Sequence, residues 1–417
     1  MILLSHASGN TFVRALLASL VAEEQLGLFA TTFGFVREPR IGPWLPGSIR
    51  SELGRRRYEL PPGKIYTRPH REMLRLAAQR FGWSRLNRNE HGWASVDAVY
   101  QDLDRAVAAR LPRWKKERGL TAVYAYEDGA LETLRVARGE GLVAVYDLPI
   151  AYWETLRALL REEAERLPQW EPTLQGGTRD SDEKIARKTA ELDAADIVVC
   201  PSQFVLESLP ERARREKTCV VAEFGTPEFS APPRVPPKPG SKLRVLFAGS
   251  MSQRKGLGDL FAAMKLLRRT DVELVVMGSL QAPMSFYRSE YAAFIYEPTR
   301  PHGEVLKLMA SCDVLCLPSI VEGRALVQQE AMACGLPVVA TLNAGASDLV
   351  VDGVSGFLVP IRSPAVLAEK LSWMADHREE TRTMGLTAQA MAREVTWVRY
   401  GEKILRAISA AGTLNHG

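Results

Sequence analysis

Two glutamates eight residues apart, Glu322 and Glu330, bracket a stretch whose residue types could grip an anion. The run Pro318-Ser319-Ile320-Val321-Glu322-Gly323-Arg324-Ala325-Leu326-Val327-Gln328-Gln329-Glu330 continues through Ala331-Met332-Ala333-Cys334 to Gly335-Leu336-Pro337. Gly335 stops a helix and Pro337 prevents it from resuming. Glu322 then lies just ahead of the helix and Glu330 about two turns inside it, about 12 Å apart along the axis at 1.5 Å per residue. Between them, first-turn amides without intrahelical acceptors form a site for an anion such as a diphosphate. One carboxylate at each end of a phosphate site suits a ligand with hydroxyls on both sides of its phosphates, the layout of a sugar nucleotide. Two arbitrary glutamates would more simply be a residue that offsets the helix dipole and a surface residue. Here the buried run 314–317, ending at Pro318, favours the site.

A second pair of charges points the same way. An apolar run at 243–247 leads into Gly249-Ser250-Met251-Ser252-Gln253-Arg254-Lys255-Gly256, which delivers two adjacent cations ahead of the next helix. Arginine can hold a diphosphate bidentately, and lysine acts as a point charge. The helix dipole disfavours cations at that end, so something anionic should compensate them.

These residues need elements to hold them. Short β-branched or apolar runs alternate with longer stretches of helical period, as expected for βα units around parallel sheets. The first series has strands at 1–5, 122–126, 142–146, 197–200 and 220–223, with helices near 11–22 and 152–166. Residues 231–240 then carry five prolines in ten positions, which excludes a helix or an interior strand and reads as a connector. A second series follows, with strands at 243–247, 272–277, 314–317 and 338–340 and helices near 257–268, 303–311, 325–334 and 364–375. The expected organisation is an N-terminal acceptor-side domain (1–230), a linker (231–241), a C-terminal nucleotide-sugar-binding domain (242–394) and a last helix (395–417). The fold class is α/β: two Rossmann-like domains with parallel sheets facing a central cleft, where ligands meet the carboxyl ends of the strands.

Arg254-Lys255-Gly256, the Glu322/Glu330 spacing, the run from Glu330 through Cys334-Gly335-Leu336-Pro337 to Val339, and Gly345-Ala346-Ser347-Asp348 through Gly353 and Gly356 to Val359 together resemble a known family. It is that of retaining, GT-B-fold glycosyltransferases of the large family four. The resemblance is dense over 243–360 and thin over 1–240. It implies that Arg254 and Lys255 neutralise the donor diphosphate, that Glu322 holds a hydroxyl of the transferred sugar, that the amides of Leu326 and Val327 hold phosphate, and that Glu330 accepts from the ribose hydroxyls. Arg254, Lys255 and Glu322 are thereby the candidate catalytic residues. Gly9, Gly249, Gly278, Gly323, Arg324 and Ala325 join the candidate donor-binding set. Residues 395–400 resemble the start of the helix that crosses back onto the first domain. Four positions depart from the family pattern: Arg324 stands where an aromatic is usual, Ala325 where a glycine is, Asp348 where a glutamate is commoner, and Gly9 alone where two glycines are.

The resemblance also implies a mechanism. A retaining enzyme of this type cleaves the sugar–phosphate bond with the acceptor hydroxyl on the same face, and the departing phosphate takes the acceptor proton. Catalysis then rests on stabilising charge on the leaving group and calls for no metal and no cofactor. Asp102-Leu103-Asp104 and Asp180-Ser181-Asp182 lie in stretches unsuited to a metal-binding pair. The expected partners are a nucleotide-diphosphate sugar and an acceptor of lipid-linked or phosphate-bearing character, in polysaccharide, glycolipid or glycoconjugate synthesis. Rival readings are a catalytically weak nucleotide-sugar-binding or scaffold protein and a sugar-nucleotide epimerase. A dehydrogenase is excluded because no GxGxxG opens a helix after either first strand. Among weaker candidates, Gly9-Asn10, His6, Glu127-Asp128-Gly129 and Asp147 follow strands of the first domain, and His302, with Ile295 and Tyr296, is placed by the nucleobase. A plain βα turn explains Gly9-Asn10 equally well, an ordinary turn or N-cap explains Glu127-Asp128-Gly129 and Asp147 better, and core packing also accounts for His6.

The 417-residue chain is too long for one core and suits two domains. With 46% hydrophobic and 25% charged residues it has ordinary globular proportions. It has no stretch of about 20 apolar residues. Met1–His6 reads as a strand and not as a leader. Five scattered cysteines argue for a reducing, cytoplasmic location. The net charge of +5 is unevenly spread: residues 37–88 hold thirteen basic and four acidic side chains, a surplus of nine, so the remainder sums to −4. Trp44, Leu45, Tyr58 and Tyr66 are interleaved with those charges. A solvated loop with helical edges is the simpler reading; the sharper one is a surface for phosphate-bearing substrates or for anionic lipid headgroups, that is, peripheral contact with an anionic membrane through 37–88, with no nucleic-acid partner.

Overall fold

The structure, a computed structural model, describes residues 1–36, 54, 56–174, 176–227 and 240–414. Most of the basic stretch 37–55 and the proline-rich 231–239 lie outside the described residues. Among the described residues thirteen strands form two all-parallel sheets. The first holds β1 (Ile2–Ser5), β2 (Leu26–Thr31), β3 (Ile65–Thr67), β4 (Ala122–Tyr126), β5 (Val143–Asp147), β6 (Ile197–Cys200) and β7 (Thr218–Val221), in the order β3-β2-β1-β4-β5-β6-β7. The second holds β8 (Leu243–Ala248), β9 (Val272–Met277), β10 (Phe294–Glu297), β11 (Val314–Leu317), β12 (Val338–Thr341) and β13 (Gly356–Val359), in the order β10-β9-β8-β11-β12-β13. Both are buried on two faces, which is why their central strands read as unbroken apolar runs. The chain is therefore α/β with two Rossmann-like domains. β2, interrupted by Gly27, and the short edge strands β3, β10 and β13 lack such a run and leave no comparable mark in the sequence.

The strand order reverses between β1 and β4 in one sheet and between β8 and β11 in the other. Ligands collect at such reversals, beyond the carboxyl ends of the strands. The loops there are 6–10 after β1, 249–256 after β8 and 318–325 after β11.

Two pieces of chain tie the domains together. The helix Trp397–Leu414 packs on the helix Thr11–Ala22, and Tyr400, Ile404 and Ile408 enter the apolar core under β1, β4 and β5. Thr226 donates to the Val395 carbonyl at 2.7 Å beside this crossing. In the other direction, Trp170 belongs by sequence to the first domain, yet its indole sits in the core of the second against Phe261, Phe286 and Tyr287. The helix before it, Trp153–Arg166, brings Glu163, which is fully buried and accepts from Arg166, Arg362 and Gln253. Burial alone would raise its carboxyl pKa; the three donors outweigh that and hold it below the ordinary value. Arg166 also grips Asp259 bidentately at 2.8 and 2.7 Å. Among the described residues no helix is long and apolar enough to cross a membrane.

Ile404 is fully buried where the last helix seals the first domain. Ile404→Ala should cost about 2–4 kcal/mol, read as a lowered urea midpoint; an unchanged midpoint would mean that the crossing helix does not stabilise that core.

Candidate functional site

The loop after β8 is built around Gln253. Its side-chain amide donates to Glu163 at 2.9 Å and Asp259 at 2.8 Å, its side-chain oxygen accepts from the Gly258 amide at 2.9 Å, and its own amide donates to Thr173 Oγ1 at 3.0 Å. Ser252 caps the turn Gln253–Lys255, and Gly256 leaves it with φ 75°. A Cβ on Gly256 would collide with the Pro318 carbonyl, so a glycine lets this loop approach the one after β11. The Ile320 amide closes the approach by donating to the Arg254 carbonyl at 2.9 Å.

Two cations are thereby aimed at one carboxylate. Arg254 Nη1 and Lys255 Nζ both lie 2.6 Å from Glu322 Oε1. All three side chains are largely shielded from solvent. Burial lowers the Lys255 pKa, with Arg254 adding to that and Glu322 opposing it. One negative charge against two positive ones leaves +1 in a desolvated spot, which is costly until an anion neutralises it. The helix Leu326–Ala333 starts four residues beyond Glu322, so its first-turn amides, including Leu326 and Val327, are close in the chain to the same spot. Glu330 lies on its second turn, 3.0 Å from His302 Nε2.

The other sequence candidates divide. Gly249 and Gly278 end β8 and β9 and touch: a Cβ on Gly278 would strike the Gly249 carbonyl. Gly323 packs against the first domain, where its carbonyl accepts from Ser202 Oγ at 2.6 Å and a Cβ would strike the Pro149 carbonyl. Ala325 is buried as the residue before the helix and is hydrogen-bonded to the Ala344 carbonyl at 3.4 Å. Arg324 does not reach toward Arg254 and Lys255. It is buried at the domain boundary, 3.4 Å from both Asp348 Oδ2 and Gln329 Oε1, and Asp348 in turn accepts from the Gln203 amide of the first domain at 2.9 Å. An aromatic side chain could not make that ion pair. Gly9 packs on the Tyr58 ring and gives its carbonyl to Arg14 at 2.9 Å; its neighbour Asn10 caps the first helix. Gln253, Ser202 and Asn343, whose carbonyl receives the Glu322 amide at 3.0 Å, carry no signal in the sequence that sets them apart from any polar loop residue.

Residues 230–391 match the family model of glycosyl transferases group 1. The C-terminal domain belongs to that family. This group 1 domain contains every second-domain residue named above. The chain is 31% identical over 168 residues to the D-inositol 3-phosphate glycosyltransferase of Paenarthrobacter aurescens, covering 38% of this chain and 41% of the relative. It is 33% identical over 184 residues to the enzyme of the same name from an Arthrobacter species, covering 42% and 44%. The chain thus spans less than half the length of these curated relatives. The architecture is shared along the whole chain with solved GT-B structures: Anabaena HepE in complex with UDP (TM-score 0.61, 16% identity, 98% of this chain and 99% of that one) and Thermosynechococcus elongatus sucrose-phosphate synthase (0.66, 16%, 98% and 99%). The fold is GT-B.

Facing the group 1 domain, the first domain presents buried ionisable groups at its strand ends. His6 takes a hydrogen bond from the Ser8 amide on Nδ1 at 2.9 Å and is ringed by Phe12, Tyr100 and Tyr126; burial holds its pKa down to about 3. Asp147 is hydrogen-bonded by the Tyr124 hydroxyl, and burial raises it to about 7. Glu127, 3.3 Å from Lys188, is raised to about 7 for the same reason. The signs oppose each other. A neutral buried His6 stabilises the fold above its ordinary value of 6.5, and that contribution is lost as pH falls below it. A protonated Asp147 stabilises the fold below its ordinary value of 3.8, and that contribution is lost as pH rises through about 7. Asp147→Asn should therefore be more stable than the parent at pH 8, with the advantage shrinking steadily as pH falls toward 4 in urea titrations. An advantage constant with pH would mean that the buried carboxyl is ionised throughout.

Proposed function

We propose that the protein is a glycosyltransferase that moves a sugar, with retention at the anomeric carbon, from a nucleotide-diphosphate donor to an acceptor hydroxyl. The observation that carries this is the surplus cation: Arg254 and Lys255 held on the single carboxylate of Glu322 at the start of the Leu326–Ala333 helix. A diphosphate entering there would be met by two fixed positive charges and by first-turn amides, and would take over the role that Glu322 plays toward the cations. Glu322 would then be released to a sugar hydroxyl, and Glu330 would serve the ribose. Charge developing on the leaving phosphate is what such an array stabilises. The two side chains supply the positive charge that a metal supplies in other transferases, so the reading is metal-independent, with the departing phosphate receiving the acceptor proton.

The relatives' names support glycosyl transfer, and the neighbour solved with UDP-glucose supports the donor class. The likeness in sequence is confined to part of the chain, so the acceptor is read from the first domain alone. Its strand-end loops carry Gly9, Glu127 and Asp147, groups suited to a hydroxyl-rich acceptor, and the role fits assembly of a polysaccharide or glycoconjugate.

A panel of nucleotide sugars tested by thermal shift should contain one that raises the melting temperature in proportion to its affinity. Glu330→Ala should weaken that ligand by about 1–3 kcal/mol, and Arg254→Ala should slow donor cleavage by about a hundredfold. EDTA should leave turnover unchanged. Binding with no release of nucleotide diphosphate, with or without candidate acceptors, would replace the transferase by a nucleotide-sugar-binding protein.

A further inference from the structure

Beyond the cleft, the first domain carries an exposed surface that the fold does not use. The helix His70–Phe81 ends in Arg80 and Phe81, and Gly82, in the left-handed conformation, turns the chain into Trp83. Phe81 is 66% exposed and Trp83 49%, yet their rings stack on each other with centroids 5.3 Å apart. Met73, 54% exposed, lies seven residues before Arg80 and so on the same side of the helix. Nine residues from Arg80 to Arg88 include three arginines and no acidic side chain. Among the described residues Arg80, Arg85 and Arg88 form no ion pair, whereas Arg56, Arg68, Arg71 and Arg75 of the same basic segment bond Glu72 or Asp102.

The surface is also held rigid. Asn87 donates to the Arg75 carbonyl at 3.2 Å, Ala94 to the Leu86 carbonyl at 2.9 Å, and Arg71 both donates to the Trp93 carbonyl at 2.6 Å and lies over its ring at 4.4 Å. Exposed aromatic rings on a fixed platform, mixed with unpaired arginines, are the composition of an interfacial surface.

We infer that this face, Met73, Arg80, Phe81, Trp83, Arg85 and Arg88, docks on an anionic lipid bilayer, with the aromatic pair at headgroup depth and the arginines on lipid phosphates. Nucleic acid is the poorer fit because Phe81 and Trp83 already spend one face of each ring on each other, which leaves fewer platforms for successive bases. The inference is independent of the donor chemistry, since none of these residues touches the cleft loops.

The test is flotation of the full chain with vesicles of equimolar phosphatidylcholine and phosphatidylglycerol against phosphatidylcholine alone. The protein should float with the anionic vesicles only and be released in about 1 M salt, where the screening length falls to about 3 Å. Each basic residue near the surface contributes roughly fivefold to partitioning, so Arg80→Glu/Arg85→Glu/Arg88→Glu should lose at least about tenfold. Phe81→Ser/Trp83→Ser should lose a similar factor, and both variants should keep the parent melting temperature. Equal partitioning onto neutral vesicles, parental binding by either variant, or retention on polyuridylate in place of vesicles overturns the inference.

Discussion

A single carboxylate shared by two cations sets the character of this molecule. Arg254 and Lys255 stand 2.6 Å from the same oxygen of Glu322, out of bulk solvent. Charge that is buried and only half neutralised is expensive, and folding tolerates it where the structure around it is over-determined. Gln253 supplies that determination: every polar group of its side chain is engaged, so the two residues after it have little freedom. The close approach at Gly256 and the Ile320–Arg254 hydrogen bond lock the β8 loop to the β11 loop. The site is a property of two loops held by one glycine and one glutamine.

The same glutamine joins that site to the other half of the chain. Glu163 arrives from the first domain, is buried, and is bonded at once by Gln253, Arg166 and Arg362. Any shift of one domain against the other must disturb the network that aims Arg254 and Lys255. On the far side of the cleft the bridge is Arg324–Asp348–Gln203, with Ser202 on the Gly323 carbonyl. Polar contacts of this kind favour one arrangement by geometry and are weaker than an apolar seam. The apolar seam lies elsewhere, where Tyr400 and Ile404 enter the first core and Trp170 enters the second.

The first domain's strand ends are chemically unlike those of the second. There, protons and burial take the place of fixed cations: His6 is kept neutral, while Asp147 and Glu127 hold on to protons toward neutral pH. The two sets of strand ends therefore differ in electrostatic character, with fixed cations in the second domain and buried, proton-holding groups in the first.

By itself the sequence determined the βα alternation, because central parallel strands are buried on both faces and must be continuous apolar runs. It also determined the Arg254-Lys255 and Glu322/Glu330 spacings, because each pair is local: two neighbours in one loop, and two glutamates eight residues apart on either side of a helix start. Tertiary structure alone decided which way Arg324 points, since a guanidinium on four rotatable bonds leaving a turn can swing to either wall, and Asp348 with Gln203 chose the domain boundary. It decided that Trp170 belongs to the second core, because a helix pattern records which face is apolar and not which domain covers it. And it decided the pairing of Glu330 with His302 and of Gln253 with Glu163, contacts across 28 and 90 residues, where no local periodicity or spacing carries information about the partner.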